Sequence, residues 1–215
     1  GGGETRRASE PRNPRVKRQY LAPPPHPGGP AADPGRVIAS VSDNVRSLET
    51  AKYYRVIPRG FREDSRAFVD RMHEWNGIDE RGLPPFLVGG DYVMTYNDDK
   101  ITTDIEIAVS ISQPATLYVL FDDRVPPPDW LQRDFEDTQW DVGSDDGWLD
   151  GEIVTGLGPG ESVDHHCSVW RRDVHEPTTV ILGAMSDEMS KYPAARVGWS
   201  MYGIVATPMR RERAE

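Results

Sequence analysis

The chain has 215 residues, 37% of them apolar, with 20 glycines, 19 prolines and a formal net charge of −10. That length holds one domain with a full core and excludes two large ones. No stretch approaches the ~20 apolar residues that cross a bilayer as a helix, the single Cys167 excludes an internal disulfide and a cysteine-based zinc site, and the acidic balance argues against duplex nucleic acid as the main partner.

Composition and charge both change near residue 36. Residues 1–36 hold eight of the prolines, six of the glycines and one aromatic, Tyr20. Their seven basic and three acidic side chains give +4 and leave −14 on the remainder. The run Pro23-Pro24-Pro25-His26-Pro27-Gly28-Gly29-Pro30 predicts an extended, polyproline-like spacer. The scattered charges around it read as a disordered, solvated tether; the alternative is a basic arm for nucleic acid or anionic lipid. The opening Gly1-Gly2-Gly3, with no Met and no charged-then-apolar leader, reads as the start of a fragment or processed product.

The domain proper is expected over residues 37–208, opening at Val37-Ile38-Ala39, with a charged tail at 209–215. Lys52 to Ile57 has strand character, and Ser65 to His73 offers a short helix. The clearest strand is Asp104 to Ile111, where Ile105, Ile107, Val109 and Ile111 share one face. A one-residue slip would expose all four, so the register is well specified. Ser112-Gln113-Pro114 then turns the chain into Thr116 to Phe121, and the two strands are expected to form a hairpin. A second short helix is expected at Asp129 to Phe135, capped by Asp129 after Pro126-Pro127-Pro128. Further strands follow at Ser168 to Val174, at Thr178 to Leu182 after the His175-Glu176-Pro177 turn, and at Trp199 to Thr207. Short strands at this spacing predict an all-β, antiparallel, jelly-roll-like sandwich with minor helix.

Four polar segments are candidates for chemistry. Asn97-Asp98-Asp99-Lys100 and Asp122-Asp123-Arg124 carry oxygens that suit a structural calcium ion, but lack the D-x-D-x-D-G spacing of a calcium loop. Turn chemistry with Asp–Lys and Asp–Arg pairing accounts for them equally. The acidic, glycine-rich stretch Asp141 to Gly151 lies between Trp140 and Trp148. Exposed indoles that cover sugar ring faces, beside Asp145 and Asp146 accepting from hydroxyls, would make it a glycan-contacting loop. The plainer reading is a surface loop pinned by a buried Trp. In Asp164-His165-His166-Cys167, strand alternation puts His165 and Cys167 on one face and His166 on the other, so the three cannot converge on a metal. That segment reads as a polar strand end with an inert thiol, and His73 and His175 could join it only through long-range contacts. No phosphate-binding loop, G-x-S-x-G elbow or H-E-x-x-H is present.

Read in order, Asp91-Tyr92-Val93-Met94-Thr95, Pro114-Ala115-Thr116-Leu117-Tyr118-Val119, Phe121-Asp122-Asp123-Arg124-Val125-Pro126, Trp130-Leu131, Ser168-Val169-Trp170-Arg171-Arg172, Val180-Ile181-Leu182-Gly183 and Met201-Tyr202-Gly203-Ile204 form a recognisable series. It resembles the β-sandwich region that follows FecR-type domains in planctomycete-like bacterial surface proteins, and is similar to accessory β-modules of secreted polysaccharide-degrading enzymes. The resemblance implies an exported, non-catalytic module, located in the periplasm or at the cell surface; no cofactor is expected. It also implies tethering through the Pro-rich segment to an upstream domain and a glycan or envelope component as partner. A structural or protein-interaction domain with buried aromatics is the main alternative, and exposure of Trp140 and Trp148 discriminates the two. A polysaccharide-active enzyme is the third reading; it needs a cleft with two facing carboxylates or a His–Arg–acid group.

Overall fold

The computed structural model describes residues 35–46, 50–149, 152–153, 155–186 and 197–209, with the backbone alone at 50, 51, 148, 149, 152 and 153. Residues 1–34 of the tether, 187–196, and 210–215 of the charged C-terminal segment lie outside the described residues. In chain order the elements are β1 (Ile38–Asp43), α1 (Thr50–Tyr53), β2 (Arg55–Ile57), β3 (Ser65–Arg66), β4 (Glu74–Asn76), β5 (Asp91–Met94), a 3₁₀ turn (Asn97–Ile101), β6 (Ile107–Ile111) and β7 (Ala115–Asp122). They continue with α2 (Asp129–Asp134), β8 (Glu136–Asp145), β9 (Trp148–Leu149), β10 (Glu152–Ile153), β11 (His165–Val174), β12 (Thr178–Leu182) and β13 (Gly203–Pro208).

Two antiparallel sheets make a curled sandwich. The large one has eight strands in the order β2-β5-β13-β7-β11-β8-β4-β3, and the small one has three, β1-β6-β12. β9 and β10 form a separate two-stranded ribbon. Strand β7 lies at the centre: all eight of its residues are buried, and Leu117–Phe121 reads as a continuous apolar run rather than an alternation. Phe86 covers Tyr118 on one of its faces, at 5.2 Å between ring centroids, and Phe61 covers neighbouring Tyr92 at 5.6 Å. Near the other end of β7, Tyr202 stacks on Phe121 and donates its hydroxyl to the Gly183 carbonyl at 2.8 Å, just past β12. Trp130 donates its indole N–H to the Ala184 carbonyl at 2.8 Å. These two bonds tie the sheets together.

The expected all-β class stands, and the four-residue face Ile105, Ile107, Val109 and Ile111 is buried. The expected hairpin does not form. β6 pairs with β1 and β12, whereas β7 pairs with β11 and β13 in the other sheet. The Ser112-Gln113-Pro114 corner explains why. Ser112 donates its hydroxyl to the carbonyls of Arg36 (2.5 Å) and Val37 (3.1 Å), and Gln113 donates its amide to Gly35, so the corner is tied to the start of β1. The last residues of the expected tether thus belong to the folded body.

Other differences are local. Ser65 to His73 is not helical. Ala67 N–H donates to the His73 carbonyl, Val69 N–H to Thr95, and Thr95 N–H back to Ala67, and these tertiary bonds outweigh the weak propensity of so short a segment. Lys52 lies in α1, and the strand begins only at Arg55. Pro128, not Asp129, occupies the cap position of α2; Asp129 sits in its first turn. The closing strand starts at Gly203, and Trp199 precedes it.

β12 pairs with β6 alone among the described residues, whereas β1 on the opposite edge is backed by α1 and β2. One close approach depends on glycine. A Cβ at Gly77 would lie 2.1 Å from the backbone carbonyl carbon of Gly82, whereas one at Gly198 would meet nothing within 4 Å among the described residues. Gly77→Ala is therefore expected to lower stability by roughly 1–3 kcal/mol, and Gly198→Ala to leave it nearly unchanged, as read from urea unfolding midpoints. A small shift for Gly77→Ala would contradict this packing.

Candidate functional site

The antiparallel register gathers polar residues at one end of the large sheet. Cys167 pairs with Asp122, His165 with Ser144, Glu74 with Asp145, and Gly203 with Leu120. The end of β7, the start of β11, the end of β8, the start of β4 and the start of β13 therefore share one rim. An isolated parallel bridge between Phe68 and Thr95 brings the 67–71 segment beside the 3₁₀ turn.

Asp146, just past β8, is the hub of this rim. Its Oδ2 lies 2.5 Å from His165 Nε2 and its Oδ1 lies 3.4 Å from His73 Nδ1. His165 Nε2 is also 3.0 Å from Arg124 Nη1, while the other guanidinium nitrogens of Arg124 grip buried Asp122 at 2.6–3.2 Å. Asp122 further accepts the backbone N–H of Ser200 at 2.9 Å. On the far side, Arg71 bridges Asp70 (3.2 Å) and Asp98 (2.5 Å), and Asp70 accepts the N–H groups of Asn97 and Asp98. Asp99 is held by both terminal nitrogens of Arg46 at 2.8 Å, by Thr102 at 2.9 Å and by the Tyr54 hydroxyl.

Burial acts to raise the Asp146 carboxyl, but His165, His73 and Arg124 outweigh it and hold the group below the usual carboxylate range. Burial lowers the imidazole pKa values of His73 and His166. Burial also pushes the Cys167 thiol well up, which suits the expected inert role. Lys100 is lowered by burial first and by Arg71, with Asp98 and Asp70 opposing the shift and Arg124 adding to it.

The four residues expected to contact a glycan separate. Asp146 is in the rim. Asp145 is buried and accepts the N–H groups of Gly147 (3.0 Å) and Gly156 (2.7 Å), so it fastens a loop rather than facing solvent. Trp140 is 4% exposed and packs edge-on to Phe86 at 5.4 Å, so it offers no platform for a sugar. The Trp148 side chain lies outside the described residues. The stretch expected as a loop from Asp141 is strand β8 as far as Asp145. Its register slips opposite Ser168 and Trp170, with Gln139 at φ 68°, and this bulge is what the alternation pattern failed to show.

Of the two polar turns, the Asp–Arg pairing is observed, but among the described residues no Asp–Lys pair forms at Lys100. Among the described residues no three His, Cys, Asp or Glu side chains are placed to hold a metal ion. No single motif announced the meeting of Arg71, His73, Lys100, Arg124 and His165, because they come from four separate parts of the chain, with Arg71 and His73 sharing one.

No protein-family model and no curated protein matches the chain. Among solved structures, a β-glucuronidase from glycoside hydrolase family 2 aligns with a TM-score of 0.58 and 21% identity. The alignment covers 81% of this chain and 15% of that enzyme, so the chain spans about a seventh of the enzyme's length. At that identity the likeness establishes the fold.

A folded-state pKa below the unfolded value means that the unfolded chain binds more protons, so stability falls as pH falls through the window. For His73 and His166 that window opens below about 6.5, and for Asp146 below about 3.9. His73→Gln is expected to shrink the stability loss between pH 7 and pH 5. Urea unfolding across that range tests it, and an unchanged pH slope would contradict the assignment.

Proposed function

We propose that this chain is a non-catalytic glycan-binding module that uses the rim around Asp146 as its binding surface. The observation that carries the reading is the rim itself. Carboxylates, guanidinium groups and imidazoles from five connections converge there, and such alternating donors and acceptors match the hydroxyls of a sugar. The fold-level likeness to part of a β-glucuronidase supports a carbohydrate setting. A share of 15% fits an accessory region better than a whole activity. The FecR-like, extracytoplasmic setting with the Pro-rich segment as tether belongs to the same proposal. Binding of the purified chain to a polysaccharide array tests it. Saturable binding is expected, weakened at least ~10-fold by Arg71→Ala, the loss of one charge-assisted contact. No binding by a folded sample overturns the reading.

A second reading rests on a different observation. The grouping of His165 and Arg124 with Asp146 supplies the His–Arg–acid arrangement that a polysaccharide-active enzyme requires. Release of a chromophore from aryl β-glucuronides, abolished by Asp146→Asn, would establish it; no turnover at high enzyme concentration would dismiss it for that substrate class.

A further inference from the structure

Between β10 and β11 the chain is clipped down at alternate amides. Gly156 N–H donates to Asp145 at 2.7 Å, Gly158 N–H to both oxygens of Asp64 at 3.0 Å, and Gly160 N–H to the Gly77 carbonyl at 2.8 Å. Leu157, between the first two clips, is 81% exposed, so its side chain adds little burial and the bonds do the holding. Asp145 immediately precedes Asp146, whose own N–H donates to Asp164 at 2.8 Å beyond the last clip. The segment therefore ends at the hub of the rim.

Two of the three clips are carboxylates, and other carboxylates crowd them. Glu74 on β4 lies directly across the ladder from Asp145 on β8, and its Oε2 is buried without a hydrogen-bond partner. Asp64 is fixed beside the same strand, its N–H reaching the Trp75 carbonyl at 3.1 Å and Asn76 Oδ1 at 2.8 Å. Glu63 adjoins it and accepts from Gly77 and Leu83. Asp164 stands beside Asp145, its N–H on the Ser144 carbonyl at 2.8 Å. The cations of the neighbouring elements are engaged elsewhere. Arg66, opposite Glu74 in β3, donates to the carbonyls of Phe68, Val69 and Arg71; Arg81 pairs with Asp79; His73 and His165 face Asp146. Among the described residues no cation is bonded to Glu74, Asp64 or Asp145.

We propose that residues 155–160 are a strap that closes in mild acid and loosens toward neutral pH, with Glu74 taking up the proton that lets Asp145 and Asp64 hold the loop. A carboxyl oxygen that is buried, without a donor and surrounded by like charge is where a proton binds. Once protonated, Glu74 turns from a repelling charge into a donor toward its carboxylate neighbours, while Asp145 and Asp64 go on accepting from the strap. Burial first, and then these neighbours, raise Glu74 and Asp145 above the usual carboxylate range. The closed strap thus binds protons more tightly than an open one whose carboxylates meet water. Closure strengthens as pH falls through the raised values and weakens above them. The fold as a whole moves the other way over this range, because His73 and His166 are lowered by burial.

The test is amide hydrogen exchange on the intact chain, followed at Gly156, Gly158 and Val119 between about pH 7.5 and pH 5. Each rate is divided by that of an unstructured peptide of the same sequence. Protection at Gly156 and Gly158 is expected to rise at least ~3-fold toward acid, while Val119 in β7 does not follow. Glu74→Gln keeps the shape and carries an N–H donor where the proton would sit. It is expected to hold the strap at neutral pH as tightly as the native protein does in acid, and to lose most of the pH dependence. Strap protection that is flat or falls in acid overturns the proposal, and so does a pH slope that survives in Glu74→Gln. A parallel rise at Val119 would assign the change to the whole fold and overturn the strap as a separate element. None of these outcomes depends on a ligand, so the glycan reading is tested apart from them.

Discussion

The fold depends on carboxylates that capture backbone N–H groups of irregular connections. Asp91, in β5, accepts from Val37 (2.6 Å), Ile38 (3.0 Å) and Arg59 (2.9 Å), and so fastens the first strand of the small sheet to the large one. Glu63 accepts from Gly77 and Leu83, Asp64 from Gly158, Asp43 from Val45 and Arg46, and Asp164 from Asp146. A sandwich with long connections has many backbone donors outside its ladders, and each must find an acceptor when buried. Charge-assisted acceptors are the strong ones. The acidity of the body, which at first argues only about partners, is thus partly the material of the fold.

Not all these carboxylates sit comfortably. Burial raises Glu63 and Asp145 above the usual range even though each accepts two backbone amides. Burial likewise raises Glu74, with Asp64 and Asp145 adding to the effect. The same region packs Trp75 against Phe68 and places its ring where a side chain on Gly203 would go. Local electrostatic cost is offset there by apolar contact.

How much of this was legible follows from the range of each interaction. Period-2 alternation in Ile105 to Ile111 is a local signal, and so is the turn before Thr178; the second strand falls where the pattern puts it, and the first begins at Ile107, three residues after the expected Asp104. Partner choice is not local. The corner at Ser112 to Pro114 looks like a hairpin turn until Gly35 and Arg36 arrive from elsewhere to take its bonds. The bulge at Gln139 is equally silent, and it leaves Trp140 in the core beside Phe86. Within the site, Asp146 was visible as an acidic loop residue and His165 as a strand-end histidine. Their meeting with His73 and Arg124 needed the sheet order.

β12 gives the molecule an unfinished boundary. Among the described residues its outer edge has no strand beside it, it carries no charged side chain, and Ile181 is 49% exposed on it. Lysine, proline or inward charge normally guards such edges against foreign strands. At high concentration such an edge offers a row of backbone groups and five uncharged side chains to a strand of a second molecule.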